Sequence, residues 1–363
     1  MSARRQARVS ALRDGLLTEH LDALLVSSLP NAQYLTGFTG SNALVVVRHR
    51  DVVLLTDFRY DTQAQEECPS WVTVRVEAAS LWKGLWEALA ADVHLKTVGF
   101  ETSHLLHRDF QRCLEQGDRW HWRPTLDLVE GLRTVKDPDE IDLIRRAGTV
   151  ATQALARVVS QVRGGLTELE ICGILEHELR AAGSEAHPFP PIVAAGERAA
   201  LPHARASARA VSSGDFLLLD FGATVGGYCS DITRTFVVGS ASPRQREVYD
   251  AVQEAHGLAV SGVKAGITGR AGDALARDCL VARGFGEAFG HGLGHGLGLE
   301  VHEAPRLSRL AEGSLPDGSV VTIEPGVYVP GWGGVRLEDD VHVTAAGAEL
   351  LTEFPRELVV LGA

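Results

Sequence analysis

A chain of 363 residues exceeds one average domain, and apolar residues make up 45% of it, so two domains with packed cores are expected. Its formal net charge of −12 argues against a nucleic acid or an anionic membrane surface as a partner. The cysteines are scattered without a CxxC pair, and no apolar run follows the basic start or is long enough to span a membrane. These features predict reduced thiols, no signal peptide, no membrane span and a cytoplasmic location.

Residues 1–128 have the pattern of an α/β domain. A helical segment at 4–19 precedes a strand at 21–26, two strands at 43–47 and 51–56 share a polar turn, and an amphipathic helix follows at 80–91. Tyr34, Leu35 and Phe38 lie in a glycine-flanked segment at 31–41. We expect a loop there that contacts the partner domain or a second subunit, with burial inside its own domain as the alternative.

The second region, residues 129–363, begins with a predicted helix. Pro138 suits the first turn of a helix, and Asp139 and Glu140 favour its positive N-terminus. Apolar residues then recur at helical spacing from Leu143 to Ala151.

A β-hairpin is predicted around Gly226 and Gly227. The apolar run 215–220 ends in Asp220, and the alternating segment 230–238 begins beside Asp231. A four-residue loop at 224–227 would place the two acids directly opposite, with Cβ atoms about 5 Å apart. A bulge would shift this register, and solvated strand ends are the alternative interpretation. Cys229 would share the face of Asp231, as a soft metal ligand or as simple packing.

A second hairpin is predicted at residues 320–338. With 330–332 as its loop, Glu324 falls opposite Glu338. Arg336 precedes Glu338 by two residues and therefore points to the same face, where it pairs with one of the acids or, alternatively, forms a surface ion pair.

Three histidines, His291, His295 and His302, lie in a segment with glycine at every second position between 290 and 298. Glycine at this density argues against a helix and predicts extended backbone with imidazoles directed into one cavity. Satisfied core histidines are the alternative. Four carboxylates and one imidazole form an oxygen-dominated donor set, which predicts a site for two divalent ions and metal-activated water chemistry.

These motifs carry a family resemblance. The pattern Asp-x10-Asp, followed by GHGxGHGxGLxxHE, IEPGVY and GVRLEDD, resembles the proline-directed pita-bread metallopeptidases, which include prolidase and aminopeptidase P. The resemblance implies an α+β fold, with a creatinase-like α/β domain at 1–128 and a pita-bread catalytic domain at 129–363, in which helices flank an antiparallel sheet. The metal ligands that it implies are Asp220, Asp231, His295, Glu324 and Glu338.

The resemblance also implies roles for further residues. His203 and His291 would hold the leaving-group side of the substrate, His302 would donate to the developing oxyanion, and Glu324 would transfer the proton. Arg306 would bind the carboxylate of a dipeptide, with an exposed loop arginine as the alternative.

The implied substrate is a proline-containing peptide, foremost an Xaa-Pro dipeptide. Aminopeptidase P activity on longer peptides is the alternative reaction, and a non-enzymatic binder is the rival class. The implied cofactors are two divalent ions, Mn²⁺ or Co²⁺ with Zn²⁺ as a further alternative, and the implied assembly is a homodimer.

Overall fold

The computed structural model describes residues 2–362, which form two compact units, Met1–Arg133 and Thr134–Ala363. The boundary expected from the sequence, between 128 and 129, stays a prediction. Within the described residues, every helix is too short or too polar to cross a bilayer.

The first unit is built on one six-stranded sheet. Its strands are β1 (Ala23–Val26), β2 (Ala43–Arg48), β3 (Val52–Asp57), β4 (Val72–Glu77), β5 (Thr97–Glu101) and β6 (His121–Thr125). Its helices are α1 (Ser2–Thr18), α2 (Leu29–Thr36), α3 (Asp61–Glu67), α4 (Leu81–Ala90), α5 (His107–Leu114) and α6 (Leu128–Arg133). The strand order is β4-β3-β2-β1-β5-β6, with β2 antiparallel to both of its neighbours and the other pairs parallel. The predicted helices and strands are therefore present, and Ser80 caps α4 by accepting a hydrogen bond from the Trp82 amide.

The segment 31–41 is not the predicted interface loop. Most of its first half belongs to α2, which has proline in its first turn and ends at Gly37, whose φ of 87° suits a left-handed cap. Tyr34, Leu35 and Phe38 are buried, and Phe38 packs edge-on against Tyr60 of the same unit. The expected contact role was wrong for these residues, and their burial is the alternative that holds.

The second unit combines four helices with several antiparallel strand groups. The helices are α7 (Pro138–Gln161), α8 (Glu168–Ala182), α9 (Pro243–Gly262) and α10 (Gly269–Ala282). The strands are β7 (Ile192–Ala195), β8 (Phe216–Phe221), β9 (Thr224–Val225), β10 (Tyr228–Cys229), β11 (Ile232–Val238), β12 (Gly294–Gly296), β13 (Glu303–Leu307), β14 (Val320–Ile323), β15 (Gly326–Val329), β16 (Gly333–Arg336), β17 (Asp339–Thr344), β18 (Gly347–Leu350) and β19 (Val360–Leu361). The two larger sheets have the orders β19-β11-β8-β7 and β13-β12-β14-β17-β18.

The apolar strand β8 is covered on both faces by helices. Phe216 and Leu218 belong to the hydrophobic core that includes α9 and α10, whereas Leu217 and Leu219 belong to the core that includes α7 and α8. Alternate side chains of a strand point to opposite faces, so an uninterrupted apolar run is what a doubly covered strand requires. Asp220 ends this run on the face of Phe216 and Leu218.

Helix α7 begins where its sequence predicts. The Asp137 carboxylate accepts hydrogen bonds from the amides of Asp139 and Glu140, and the Glu140 carboxylate accepts one from the Asp137 amide. This reciprocal capping satisfies amides that lack a partner within the helix.

The first hairpin has a different register from the one predicted. Its turn contains only Gly226 and Gly227, whose φ values of 59° and 81° fit a two-residue hairpin turn that β-carbons disfavour. Asp220 therefore lies opposite Thr233 rather than Asp231. The predicted pairing was wrong by two residues, a shift that leaves side chains on the same face of the sheet.

The second hairpin has the predicted loop and register, because Val329 pairs with Gly333 across residues 330–332. The same register continues into β14 and β17, where Ile323 pairs with Asp339. Glu324 and Glu338 lie in the gap between these two ladders. There the Glu338 amide donates to the Thr233 carbonyl (3.1 Å), which joins this hairpin to β11.

Candidate functional site

All residues with a predicted site role line one cavity of about 1000 Å³ in the second unit. They are His203, Asp220, Asp231, His291, His295, His302, Arg306, Glu324, Arg336 and Glu338. Six strands that are far apart in the chain contribute lining residues, namely β7, β8, β12, β13, β15 and β16. The packing of the second unit brings these strands together.

The deepest group of donors has the chemistry of a cation site. Ligand atoms of Asp231, His295 and Glu338 lie within 4.8 Å of one another. His295 Nε2 is 3.5 Å from Glu324 Oε1 and 3.9 Å from Asp231 Oδ2. The Oδ1 atom of Asp231 is buried without a hydrogen-bond partner, an arrangement that costs free energy unless a cation or water satisfies it. These residues fit a divalent metal ion.

The electrostatics of this group also favour a cation. Burial, followed by the charges of neighbouring acids, raises the pKa of Asp231 and of Glu338 well above the ordinary values. Burial raises the pKa of Glu324 to about 8 and lowers the pKa of His295 to about 3. Without a cation the acids therefore retain protons, whereas His295 is neutral and free to act as a ligand.

Arg336 supports the acids from beneath the cavity. Its guanidinium is buried, donates through Nη2 to Asp220 Oδ2, and donates through Nε to Thr233 Oγ1 at 3.1 Å. Thr233 in turn donates to Glu338 Oε2 at 2.6 Å. The expected pairing of Arg336 with one of the acids is confirmed, and the alternative of a surface ion pair is wrong.

The histidine segment is not helical, as its glycines predict, but it is extended only at the short strand β12, around His295, and bends on both sides of it. A Cβ atom on Gly294 would lie 1.9 Å from the Thr322 carbonyl, and one on Gly296 would lie 2.1 Å from the Ala304 carbonyl. The glycines therefore let strands approach closely on both sides. This packing brings the ring of His302 to 4.3 Å from the ring of His295, measured between centroids.

His291 is held at the opposite side of the segment. Its Nδ1 lies 2.8 Å from the Gly292 carbonyl and its Nε2 lies 2.9 Å from the Tyr328 hydroxyl. Burial lowers its pKa to about 4, and burial also lowers the pKa of His302. Both imidazoles are therefore neutral near pH 7 and carry one N–H each. In His291 the Nδ1–H donates to the Gly292 carbonyl and Nε2 accepts from the Tyr328 hydroxyl, whereas His302 can donate its N–H to a ligand.

His203 lies in a loop that one buried carboxylate ties down at both ends. Glu168, at the start of α8, accepts hydrogen bonds from the Ala195 amide (2.8 Å), the Arg198 Nε (3.0 Å) and the Ser207 amide (2.9 Å). His203 itself is exposed to the cavity. The loop conformation is therefore fixed from outside the cavity.

Arg306 lies across the sheet from His295, as its partner in the β12–β13 ladder. Its side chain is exposed to the cavity and forms neither a hydrogen bond nor an ion pair within residues 2–362. A guanidinium in this state is available to an anionic group of a ligand.

Sequence reasoning missed Tyr328 and the apolar wall of the cavity. The Tyr328 hydroxyl accepts a hydrogen bond from Arg336 Nη1 (2.7 Å), and burial raises its pKa to about 12. Tyr328 follows Glu324 by four residues, and side chains at an even spacing point to the same face of an extended segment. This spacing could have indicated that Tyr328 belongs to the site. The apolar wall comes from Phe189, Pro190, Pro191 and Ile192. Cys229 does not line the cavity, which agrees with a packing role.

Comparisons with known proteins agree with this architecture. The model of metallopeptidase family M24 matches residues 142–345, and that of the Creatinase/Prolidase N-terminal domain matches residues 8–135. A relative from Pyrococcus horikoshii named Xaa-Pro dipeptidase is 34% identical over 93% of this chain and 95% of its own length.

Two solved structures are similar over nearly the whole chain. An Xaa-Pro dipeptidase from Bacillus anthracis has a TM-score of 0.95 and 38% identity, covering 98% of this chain and 100% of its own. An X-Pro aminopeptidase from Thermotoga maritima has a TM-score of 0.90 and 37% identity, covering 97% and 99%. The two-domain pita-bread architecture expected from the sequence is confirmed. The chain belongs to metallopeptidase family M24 and is a metal-dependent hydrolase with a Creatinase/Prolidase N-terminal domain.

Proposed function

We propose that this chain hydrolyses the peptide bond preceding proline, with Xaa-Pro dipeptides as its preferred substrates. The observation that carries the proposal is one cavity in which a cation-binding group of acids lies beside the unpartnered guanidinium of Arg306. The names of the Pyrococcus horikoshii and Bacillus anthracis relatives support the choice of substrate.

Two divalent ions would be held by Asp220, Asp231, His295, Glu324 and Glu338. Ions at such a site supply Lewis acidity and lower the pKa of a nearby water towards neutrality. Carboxylates dominate the donor set, which suits Mn²⁺, with Co²⁺ and Zn²⁺ as alternatives. The buried, unpartnered Oδ1 of Asp231 supports this assignment.

Glu324 is the proposed proton carrier. A general base must lie within reach of the proton that it takes, and Glu324 lines the cavity with its Oε1 3.5 Å from His295 Nε2, inside the group of proposed ligands. Its Oε1 accepts only a long hydrogen bond, 3.3 Å from Thr322 Oγ1, so the carboxylate retains capacity to take a proton and pass it to the leaving nitrogen.

Three histidines have proposed roles around the reacting carbonyl. His302 lies beside His295 and would donate to the oxygen that gains charge in the transition state. His291, whose ring is fixed by Tyr328, and His203 would hold the leaving-group side. Arg336 would keep Asp220 oriented through their buried ion pair.

Arg306 would distinguish a dipeptide from a longer peptide by binding the free carboxylate that follows proline. A charged hydrogen bond of this kind contributes about 1.5–3 kcal/mol, or roughly ten- to hundredfold in affinity. The apolar wall formed by Phe189, Pro190, Pro191 and Ile192 would accept the substrate's apolar side chains.

Aminopeptidase P activity is the second candidate, favoured by the name of the Thermotoga maritima structure. The deciding experiment compares Ala-Pro with Ala-Pro-Ala and Ala-Pro amide, using the metal-loaded wild type, Arg306→Ala and Arg309→Ala. Arg309 is an exposed arginine three residues away that does not line the cavity, so it is the matched control.

We expect the wild type and Arg309→Ala to prefer the free dipeptide, and Arg306→Ala to lose that preference through a higher KM. Faster cleavage of the tripeptide by the wild type would replace the dipeptidase proposal with the aminopeptidase. Wild-type activity that survives complete removal of metal by a chelator would contradict the metal assignment.

We further propose that the enzyme is a cytoplasmic homodimer, on the ground of its two-domain layout. Light scattering at micromolar concentration should return about twice the chain mass of 39.0 kDa. A mass near that of one chain would contradict the dimer.

A further inference from the structure

The backbone that carries His291 and His295 is rich in glycine, and it therefore needs other parts of the structure to hold its conformation. Glycine has the largest conformational freedom of any residue, so an alternating glycine segment does not hold its own shape. Residues 289–293 precede the short strand β12 and lie outside every helix and strand. Imidazoles on such a segment stay in place only if other groups fix the backbone.

Two side chains of α10, Asp273 and Arg277, bond to this backbone. Arg277 donates through Nη1 to the Phe289 carbonyl (2.9 Å) and through Nη2 to the His291 carbonyl (2.6 Å). Asp273 Oδ1 accepts from the Leu293 amide at 3.0 Å. The contacts therefore fall on every second residue of this segment, at positions 289, 291 and 293.

The same two residues bind each other. Arg277 Nε donates to Asp273 Oδ2 (2.6 Å), and Nη2 donates to Asp273 Oδ1 (2.8 Å). Between them they present two donors and one acceptor to alternate residues of the segment. A simple intrahelical ion pair spaced four residues apart would need none of the three bonds that leave the helix.

The surroundings strengthen these bonds. Asp273 and Arg277 are 1% and 8% exposed, so water competes little for their hydrogen bonds. The Arg277 guanidinium lies 4.1 Å above the Phe289 ring, and that ring meets the His291 ring edge-on at 5.1 Å. Arg277 therefore restrains His291 through its carbonyl and through its neighbouring ring.

We propose that the buried Asp273–Arg277 pair positions His291 by holding the glycine-rich backbone between residues 289 and 293. The two residues are positioning residues, since neither lines the same cavity as the acids. The catalytic consequence rests on the proposed function, but the effect on the backbone does not.

The test is Arg277→Lys. Lysine keeps a positive charge beside Asp273, but its single nitrogen cannot replace the planar guanidinium in bonding both carbonyls. Amide hydrogen exchange of the metal-free protein reports on residues 289–296, and steady-state kinetics of the metal-loaded protein report on catalysis. We expect exchange at Leu293 to rise at least tenfold and kcat/KM for Ala-Pro to fall at least tenfold.

Two controls separate positioning from general stability. Arg283→Lys alters an exposed ion pair with Glu254 at the end of the same helix and should change neither measurement. Val248→Ala removes buried volume from α9 in the same core, so its Tm should fall while exchange at Leu293 and kcat/KM well below Tm stay near the wild type.

Wild-type exchange and kinetics in Arg277→Lys would overturn the proposal, as would equal losses in Val248→Ala at a matched fall in Tm. If Arg277→Lys does not fold, Asp273→Asn, which keeps an oxygen for the Leu293 amide, is measured in the same way and must show the same direction of change. A wild type that fails to cleave Ala-Pro would refute the proposed function. The exchange measurement would then decide by itself whether the Asp273–Arg277 pair holds the backbone.

Discussion

Arg234 is a buried arginine whose removal should destabilise the catalytic unit strongly. The side chain is 1% exposed, and every N–H of its guanidinium has an acceptor. The acceptors are the carbonyls of Pro355 (3.0 Å), Thr233 (2.9 Å), Glu338 (2.6 Å) and Phe354 (2.9 Å) and the Asp339 carboxylate (2.7 Å). One side chain thus ties β11 to β17 and to the chain that follows β18.

The perturbation is Arg234→Met, which keeps much of the volume and removes all the donors. Asp339 would remain buried with the Thr352 hydroxyl at 3.1 Å, the His256 ring at 3.2 Å and Arg356 at 3.9 Å. Burial lowers the pKa of His256, so this ring is neutral near pH 7 and does not replace the lost charge. Breaking a buried pair in this way costs about 3–5 kcal/mol.

The assay is hydrogen exchange in β8, a core strand whose amides exchange only on global opening of the catalytic unit. A loss of about 3–5 kcal/mol corresponds to roughly two to four powers of ten in the exchange rate. The control is Arg145→Ala, which breaks a pair with Glu349 whose side chains are 39% and 55% exposed and should cost about 1 kcal/mol or less. Replacing both buried partners, as Arg234→Met with Asp339→Leu, should recover part of the loss. A loss in Arg234→Met no larger than in Arg145→Ala would refute the reasoning.

Four further predictions concern the site. Asp231→Asn should fold but bind less metal and lose activity; full metal occupancy with normal turnover would count against the dinuclear site. His302→Ala should lower kcat about a hundredfold at unchanged metal content, whereas loss of metal would make His302 a ligand. Without metal, burial raises the pKa of Glu324 from 4.5 to about 8, so the folded state holds a proton that the unfolded chain releases. The Tm in chelator should therefore fall as the pH rises from 5 to 8, and Mn²⁺ should raise it more at pH 8 than at pH 6; a Tm in chelator that rises over this range would contradict the argument. Glu168→Gln should speed amide exchange in the loop around His203 and raise KM severalfold. An exchange rate in this variant equal to that of the wild type would show that the loop keeps its conformation without Glu168.

Much of the site could be predicted because its chemistry is concentrated in short motifs. The glycines around His295 excluded a helix, and the loop at 330–332 set the register of the second hairpin correctly. The first register depended on whether Gly226 and Gly227 alone make the turn, which counting residues does not decide. Tyr328 was missed because a tyrosine in a strand more often packs than bonds to an arginine.

The residues that hold the site from outside were beyond sequence reasoning for a physical reason. Asp273 and Arg277 have the spacing of an ordinary helical ion pair, and their bonds to residues 289–293 depend on how α10 packs. Glu168 bonds to residues that follow it by 27 to 39 positions. Such contacts depend on tertiary structure, whereas the acids and histidines of the site can be recognised in the sequence from their residue type and spacing.

The contact between Thr233 and Glu338 spans 105 residues, and this separation has a consequence during synthesis. At roughly 5–20 residues per second, a ribosome needs about 5 to 20 s to add the second residue after the first. During that interval the nascent chain already has its first two acids and gains the histidine segment, but it lacks Glu338 until the end. A hydrolase whose proposed ligands meet through such long-range pairing therefore has no complete site until Glu338 has been added.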